Sequence, residues 1–417
     1  MKIGVIGAGV AGLTAAHILS KKHEITLIEK NERIGGHTNT INVEENGAKI
    51  GVDTGFIVLN DKNYPNFKKL LSSLNVNIRN TDMSFGYYDE KSGFNYAGTG
   101  VLGYFSQKIN LFSPKHYRFL LNVKKYSKIA AKDVETNNLI DETLGEYLIR
   151  NKFPTEIIEK FIIPMGAAVW SGSRKDIMNF PVKMFLRFFD NHGILNLNNA
   201  PQWHTVTGGS YAYVSKILTD FNGTVIKGNG VKELKRNDTS VIVNLEDGKE
   251  LIFDRVVCAS HADQTYRMIK DVTKQEKAIL EPWEYSKNTT VLHTNHSFMP
   301  PTKSAWACWN YIKNINSKDG DDVSVTYYMN RLQGLKTSKD YMVTLNPVRE
   351  IPKEDVIFET VYTHPKYTQA AISTQEKIKD VNGTNKLYFC GSYCRYGFHE
   401  DAVISAVNVA KQLGCEL

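Results

Sequence analysis

Lys2-Ile3-Gly4-Val5-Ile6-Gly7-Ala8-Gly9-Val10-Ala11-Gly12-Leu13 is the stretch on which the fold turns. The β-branched residues between Lys2 and Ile6 predict a strand, the glycines a tight turn, and Leu13 to Ser20 a helix. Gly7 permits the turn, Gly9 lets the backbone approach a pyrophosphate, and Gly12 lets helix and strand pack closely. The free N–H groups and the dipole at the helix start favour phosphate. A Gly-rich turn with no ligand is the bland reading of the same letters. Against it stands a second strand, Glu24 to Ile28, which ends in Glu29, about twenty residues past the first glycines, where a carboxylate accepts ribose hydroxyls. The glycines also break any reading of the apolar run to Leu19 as a secretory signal. No other window reaches the ~18 apolar residues that a membrane span requires.

The chain around this motif has 417 residues, enough for two or three domains. Its 42% apolar and 23% charged residues exclude disordered and collagen-like classes. The net charge of +7 is too small and too spread for a nucleic-acid protein, and no motif for one accompanies it, so nucleic acid is not expected as a partner. Cys258, Cys308, Cys390, Cys394 and Cys415 are odd in number and scattered without a CxxC pair, which predicts neither disulfide scaffold nor zinc site and fits a reducing cytoplasm. Residues 101–132 carry Lys108, Lys115, Arg118, Lys124, Lys125, Lys128 and Lys132 without one acid, interleaved with aromatic and aliphatic residues. Such a stretch is either a solvated helix packed on its own domain or a surface that lies on anionic phospholipid, peripheral to the inner face of the cell membrane.

Further motifs extend the reading. Glu29-Lys30-Asn31-Glu32-Arg33-Ile34-Gly35-Gly36-His37-Thr38 places an arginine and paired glycines after the ribose-binding acid, and it is followed by Asp53-Thr54-Gly55-Phe56, Gly208-Gly209-Ser210, Leu387 to Ser392 and Gly397-Phe398-His399-Glu400-Asp401-Ala402. Together these resemble the flavin-containing amine oxidoreductase superfamily. Within it, the Phe398-to-Asp401 run, the Asp53-to-Asn60 stretch and the segment from Asn191 through Gln202-Trp203 to Ser210 are similar to a bacterial subgroup related to the FAD domain fused before some plant cyclopropane fatty acid synthases. The resemblance implies an α/β fold in which a Rossmann-like FAD-binding domain, discontinuous over 1–79, 205–269 and 371–417, receives an inserted α+β substrate domain over 80–204 and 270–370. Strand-like Val225-Ile226, Val241 to Leu245, Glu250 to Phe253 and Arg255 to Ala259, with turn signals at Asn237-Asp238 and Asp247-Gly248, are expected to supply the middle of the nucleotide fold. The resemblance also implies that Gly7, Gly9, Ala11, Gly12, Glu29, Lys30, Arg33, Gly35, Gly36, His37 and Thr38 surround the FAD. Val231 would meet the adenine, and Gly391 with Glu400 or Asp401 would meet the ribityl and pyrophosphate. His37 departs from the usual arginine, and Ala402 stands where glycine is common.

His399 lies between a flavin-contacting loop and the last helix, where it either moves a proton or orders the loop. Tyr393, Tyr396 and Phe398 from that loop are expected to wall a substrate cavity, with Tyr393 and Tyr396 beside His399 as catalytic candidates. His261 and His204 are weaker candidates. Trp170, Trp203, Trp283, Trp306 and Trp309 are expected in the core. No metal spacing such as HExxH and no GxSxG elbow occurs, and Cys390 reads as packing. No amine-oxidase lysine aligns. The resemblance to domains fused before lipid-methylating synthases implies FAD-dependent oxidation of an aliphatic lipid, desaturation of a methylated fatty acyl chain of a phospholipid being one form. The alternatives are an amine or carotenoid oxidase of the same fold, or an escort-like protein that holds lipid without redox chemistry.

Overall fold

The computed structural model describes residues 1–195, 200–315 and 324–417. At its centre is a sheet of five parallel strands in the order Thr224–Ile226, Glu24–Ile28, Lys2–Ile6, Arg255–Cys258, Leu387–Phe389. A parallel sheet survives only when both faces are covered, and its strands are accordingly near-continuous apolar runs. The helix Val10–Leu19 covers part of one face, with Leu13, Ala15, Ala16, Ile18 and Leu19 wholly buried, and packs against the last helix, His399–Gln412. It begins three residues earlier than the apolar periodicity suggests. Gly9, at φ −75° and ψ −177°, is its N-cap, and Gly12 lies inside the first turn.

Of the four strand-like runs expected in the middle of this nucleotide fold, two join the parallel sheet. Val241–Leu245 instead lies between Val231–Arg236 and Glu250–Phe253 in a separate antiparallel sheet of three strands. Its turns use the predicted residues: Asn237 Oδ1 accepts the Ser240 amide at 2.7 Å, and Asp247 Oδ1 accepts the Lys249 amide at 2.9 Å. Phe253 fits against Gly4, where any β-carbon would collide with the ring.

A larger mixed sheet of seven strands gathers residues 85–97 and 285–365, ordered from Val356–Pro365 at one edge to Asn95–Ala97 at the other. The helices between residues 101 and 191 stand against it, the longest being Pro114–Glu135, which packs on Val182–Asn191. Within that helical layer Ile158–Ile162 is a π turn, in which the Ile163 amide bonds Ile158 O, five residues back, and Pro164 follows it, leaving the Lys160 carbonyl to a partner outside the helix. Tyr96 OH donates to that carbonyl instead, at 2.8 Å, and so pins the wall of the molecule's main cleft to the helical layer.

Candidate active site

One continuous cavity of about 1980 Å³ runs from the glycine turn to the Pro114–Glu135 helix. Pockets for one small ligand occupy roughly 300 to 1,000 Å³, so this one has room for a dinucleotide and a second molecule.

Its first compartment is the nucleotide cradle. Gly7 donates its N–H to Ile28 O at 2.8 Å, which fixes the turn against the second strand. Gly7 adopts φ +96°, a region that glycine enters without strain. A β-carbon on Gly9 would meet nothing within 4 Å, so the backbone there faces open cleft. The first amides of the Val10–Leu19 helix have no intrahelical acceptor and are available to phosphate. Gly12 acts differently, because a β-carbon there would lie 1.8 Å from Gly7 O; it serves close packing and does not line the cavity. Glu29 Oε2 accepts the Ala8 amide at 2.9 Å and Oε1 accepts the Asn31 amide and side chain, at 3.0 and 2.9 Å. Those three bonds aim its carboxylate, and Oε2, which accepts only one of them, retains acceptor capacity. Arg33 donates to Thr38 O at 2.9 Å and Gly36 O at 2.7 Å, bracing the Gly35-Gly36 turn beside Gly9. Lys30 and Val231 complete this end.

The middle compartment contains three imidazoles from distant parts of the chain. His37 stacks on Tyr362 at 5.1 Å and approaches His364 at 5.3 Å, while His261 stacks on Tyr285 at 4.2 Å. Burial, with Arg33 nearby, lowers His37 to about 4. Burial and the neighbouring His37 lower His261 and His364 to about 3. All three are neutral near pH 7. His37 lines the cleft, and its Nε2 is shut off from water without a hydrogen-bond partner. Tyr362 is held in turn by Asn39 Nδ2 at 3.0 Å and Thr54 Oγ1 at 2.9 Å.

The remaining residues named from sequence divide into those the cleft receives and those it does not. Ala11, Gly391, Tyr393 and Tyr396 line it, and Tyr393 OH is buried without a partner. Thr38, expected beside FAD, is fully buried, its hydroxyl 2.5 Å from Tyr213 OH and 3.0 Å from His399 Nε2. Gly35 likewise serves the turn and does not line the cleft. Glu400 and Asp401 are the clearest corrections. Glu400 accepts the amides of Asn66 and Phe67 at 3.0 and 2.8 Å, capping the helix Pro65–Ser73. Asp401 accepts the Phe398 amide at 2.9 Å and caps its own helix. What that junction shows the cavity is Gly391, Gly397, His399 and Ala402. His399 lies flat on Phe56 at 3.6 Å, and burial holds it well below the usual imidazole range. Its Nε2 also lies 3.0 Å from Thr38 Oγ1 and 3.2 Å from Tyr213 OH, contacts that order the loop. His204 bonds Asp61 at 3.0 Å outside the cleft.

The third compartment is apolar and aromatic, walled by Phe85, Tyr96, Phe119, Phe161, Met165 and Phe188 among others. Trp170 is buried in the core as expected and also lines this chamber; Trp203 and Trp309 are partly buried, pack on the core and line it as well, while Trp283 and Trp306 are buried away from it. Sequence reasoning missed Tyr285, Tyr362 and His364. The alternation of Thr360, Tyr362 and His364 along one strand is the signal that points to the last two.

Comparison with known proteins agrees with this geometry. Residues 5–74 match the NAD(P)-binding Rossmann-like domain family. The L-amino-acid oxidase of Pseudechis australis is 47% identical over 47 residues, 11% of this chain and 9% of its own length. A 4,4'-diapophytoene desaturase (4,4'-diaponeurosporene-forming) of Staphylococcus aureus is 57% identical over 42 residues, 10% of this chain and 8% of its own. The match thus spans less than a tenth of either curated relative. Among solved structures, putrescine oxidase bound to putrescine superposes with a TM-score of 0.70 at 12% identity, covering 99% of both chains. The CLA-producing fatty acid isomerase from P. acnes superposes with a TM-score of 0.69 at 14% identity, covering 98% of both. Residues 5–74 thus match the NAD(P)-binding Rossmann-like domain family, and the whole chain shares its fold with putrescine oxidase and the fatty acid isomerase.

Proposed function

We propose that this chain is an FAD-dependent oxidoreductase that oxidises a long aliphatic lipid, an acyl chain held in the aromatic compartment. The single observation that carries the reading is the continuity of the cavity from the glycine cradle to an apolar chamber. The fold accommodates a diamine in one neighbour and is shared by a fatty acid isomerase, so the wall must choose the substrate. The acids lining the cavity are Glu29 and Glu246 at the nucleotide end and Glu135 on the Pro114–Glu135 helix. Among the described residues an ammonium in the aromatic chamber would have only Glu135, exposed at the end of that helix, as a carboxylate partner, whereas a hydrocarbon needs none.

The residues fit FAD. Gly9 and the helix start would meet its pyrophosphate, Glu29 its ribose, and Val231 its adenine end, with His37 Nε2 and the Gly391-to-Ala402 junction in the wall beyond. Bound there, FAD supplies a two-electron acceptor. The chain's own part is to orient and to exclude water: Phe85, Tyr96 and Phe119 offer the chain flat apolar surface, and Tyr362 and Phe56 are fixed by their partners. Three neutral imidazoles add no competing cation to the centre. Purified protein should carry flavin absorbance and release a lipid identifiable by mass spectrometry. Detergent-dispersed phospholipid or fatty acid, and not amines, should reduce the flavin anaerobically. Reduction by amines alone would overturn the substrate class, and protein that takes up no flavin would point to a lipid carrier.

A further inference from the structure

The helix Pro114–Glu135 shows the cavity a row of lysines. Lys124, Lys128 and Lys132 follow one another at four-residue spacing, all exposed and all on the wall, with Leu120 and Val123 below them. No ion pair joins any of the three to an acid among the described residues. Just before this row, Val101, Leu102, Ile109, Phe112 and Leu121 stand between 66% and 83% exposed. Single exposed apolar residues are ordinary, but five within one short segment, surrounded by the exposed Lys108, Lys115, Arg118 and Lys125, are not scattered. The two features meet, because Val101 and Leu120 belong to the cavity wall while Leu102 and Leu121, the next residues, are exposed.

We propose that this mouth docks on an anionic phospholipid bilayer, the five apolar side chains entering the acyl boundary and the lysine row receiving a headgroup phosphate at the cavity entrance. The partner follows from charge and shape together. Seven cations without an acid over residues 101–132 complement a negative surface, and the apolar prong complements the hydrocarbon beneath it. A water-soluble polyanion would match the charge and leave the prong in water. This rests on the acyl-substrate reading and adds the route: substrate enters from the lipid phase beside the prong.

The test is cosedimentation of the FAD holoprotein with vesicles of phosphatidylcholine, alone or mixed with phosphatidylglycerol. The parent should pellet with the mixed vesicles and release as salt rises, since the screening length shrinks from about 10 Å at 0.1 M to about 3 Å at 1 M. The Phe112→Ser/Leu121→Ser variant should bind mixed vesicles about tenfold more weakly or worse, with flavin reduction by detergent-dispersed lipid unchanged. The Lys124→Gln/Lys128→Gln/Lys132→Gln variant should lose its preference for anionic vesicles. A parent that ignores lipid charge, or variants that pellet like the parent, overturn the docking surface. Reduction by dispersed lipid without vesicle binding overturns docking alone, and vesicle binding without reduction by any lipid overturns the acyl-substrate reading alone.

Discussion

Two glycines three residues apart in one turn are under different constraints. A side chain on Gly9 would project into the cleft, where no atom of the chain lies within 4 Å of its β-carbon, whereas one on Gly12 would drive into the Gly7 carbonyl. Gly9→Val should therefore keep the melting temperature of the flavin-free protein and lose bound flavin on gel filtration, while Gly12→Val should fail to fold stably. Glu29→Ala removes the acceptor of the Ala8 and Asn31 amides as well as the proposed ribose partner, and a lost bond to a charged group costs about 1.5–3 kcal/mol. Roughly tenfold or greater weakening of FAD retention is expected, and retention equal to the parent's would remove Glu29 from the site. His399 stands in the same light. Its ring packs on Phe56 with no titration expected at neutral pH, so His399→Ala should lower thermal stability by an amount in the ~0.5–3 kcal/mol range of ordinary substitutions. The pH profile of flavin reduction should keep its shape. Loss of an ionisation between pH 5 and 8 in that variant would restore a proton-transfer role.

At the level of elements, the helix Pro65–Ser73 depends on a cap supplied from the far end of the chain. Tyr64, its N-cap, provides no side-chain bond, and Glu400 takes the first amides instead. Glu400→Ala should destabilise the fold by about 0.5–2 kcal/mol in chemical denaturation, the cost of a missing cap, while bound flavin stays at the parent's level. Loss of flavin with unchanged stability would place Glu400 at the cofactor after all. The hairpin formed by Thr40–Glu45 and Ala48–Asp53 is anchored similarly. Asp53, fully buried, accepts the Ser210 amide and hydroxyl and the Gln333 side chain, joining three elements more than a hundred residues apart.

Across the whole molecule, neutral imidazoles set the response to acid. His37, His192 and His293 are lowered to about 4 and His261 and His364 to about 3, each mainly by burial. Below pH 6.5 the unfolded chain takes up protons at these positions and the folded chain does not, so stability present above 6.5 is lost as pH falls toward 4. Carboxyls raised by burial oppose this: Asp53 to about 6, Asp401 to about 7, and Glu400. The folded state holds their protons more tightly, so their penalty eases as pH falls. The lowered imidazoles, with His399 among them, outnumber these carboxyls, and the melting temperature of the holoprotein should drop between pH 7 and 5. A melting temperature that is flat or rises over that interval would contradict the neutral assignment.

What the sequence determined by itself is local. Strand, glycine turn, helix and second strand span fewer than thirty residues, and their periodicity and punctuation act over three or four positions, so Gly7, Gly9, Glu29 and the turns at Asn237 and Asp247 are legible without a fold. A period-two alternation also marks Tyr362 and His364, although nothing in it says which face meets a cleft. The tertiary structure alone decided the rest. It brought His37, His261 and His364 into one wall, turned Glu400 toward a helix 333 residues away in the chain, and set Trp170, Trp203 and Trp309 on the cavity. It also laid Lys124, Lys128 and Lys132 along the entrance. The physical reason is that a side chain's type fixes what it bonds to, but whether that partner is water, a ligand or another element depends on which surfaces pack together. Those surfaces come from residues far apart in the chain, and no local pattern encodes their meeting.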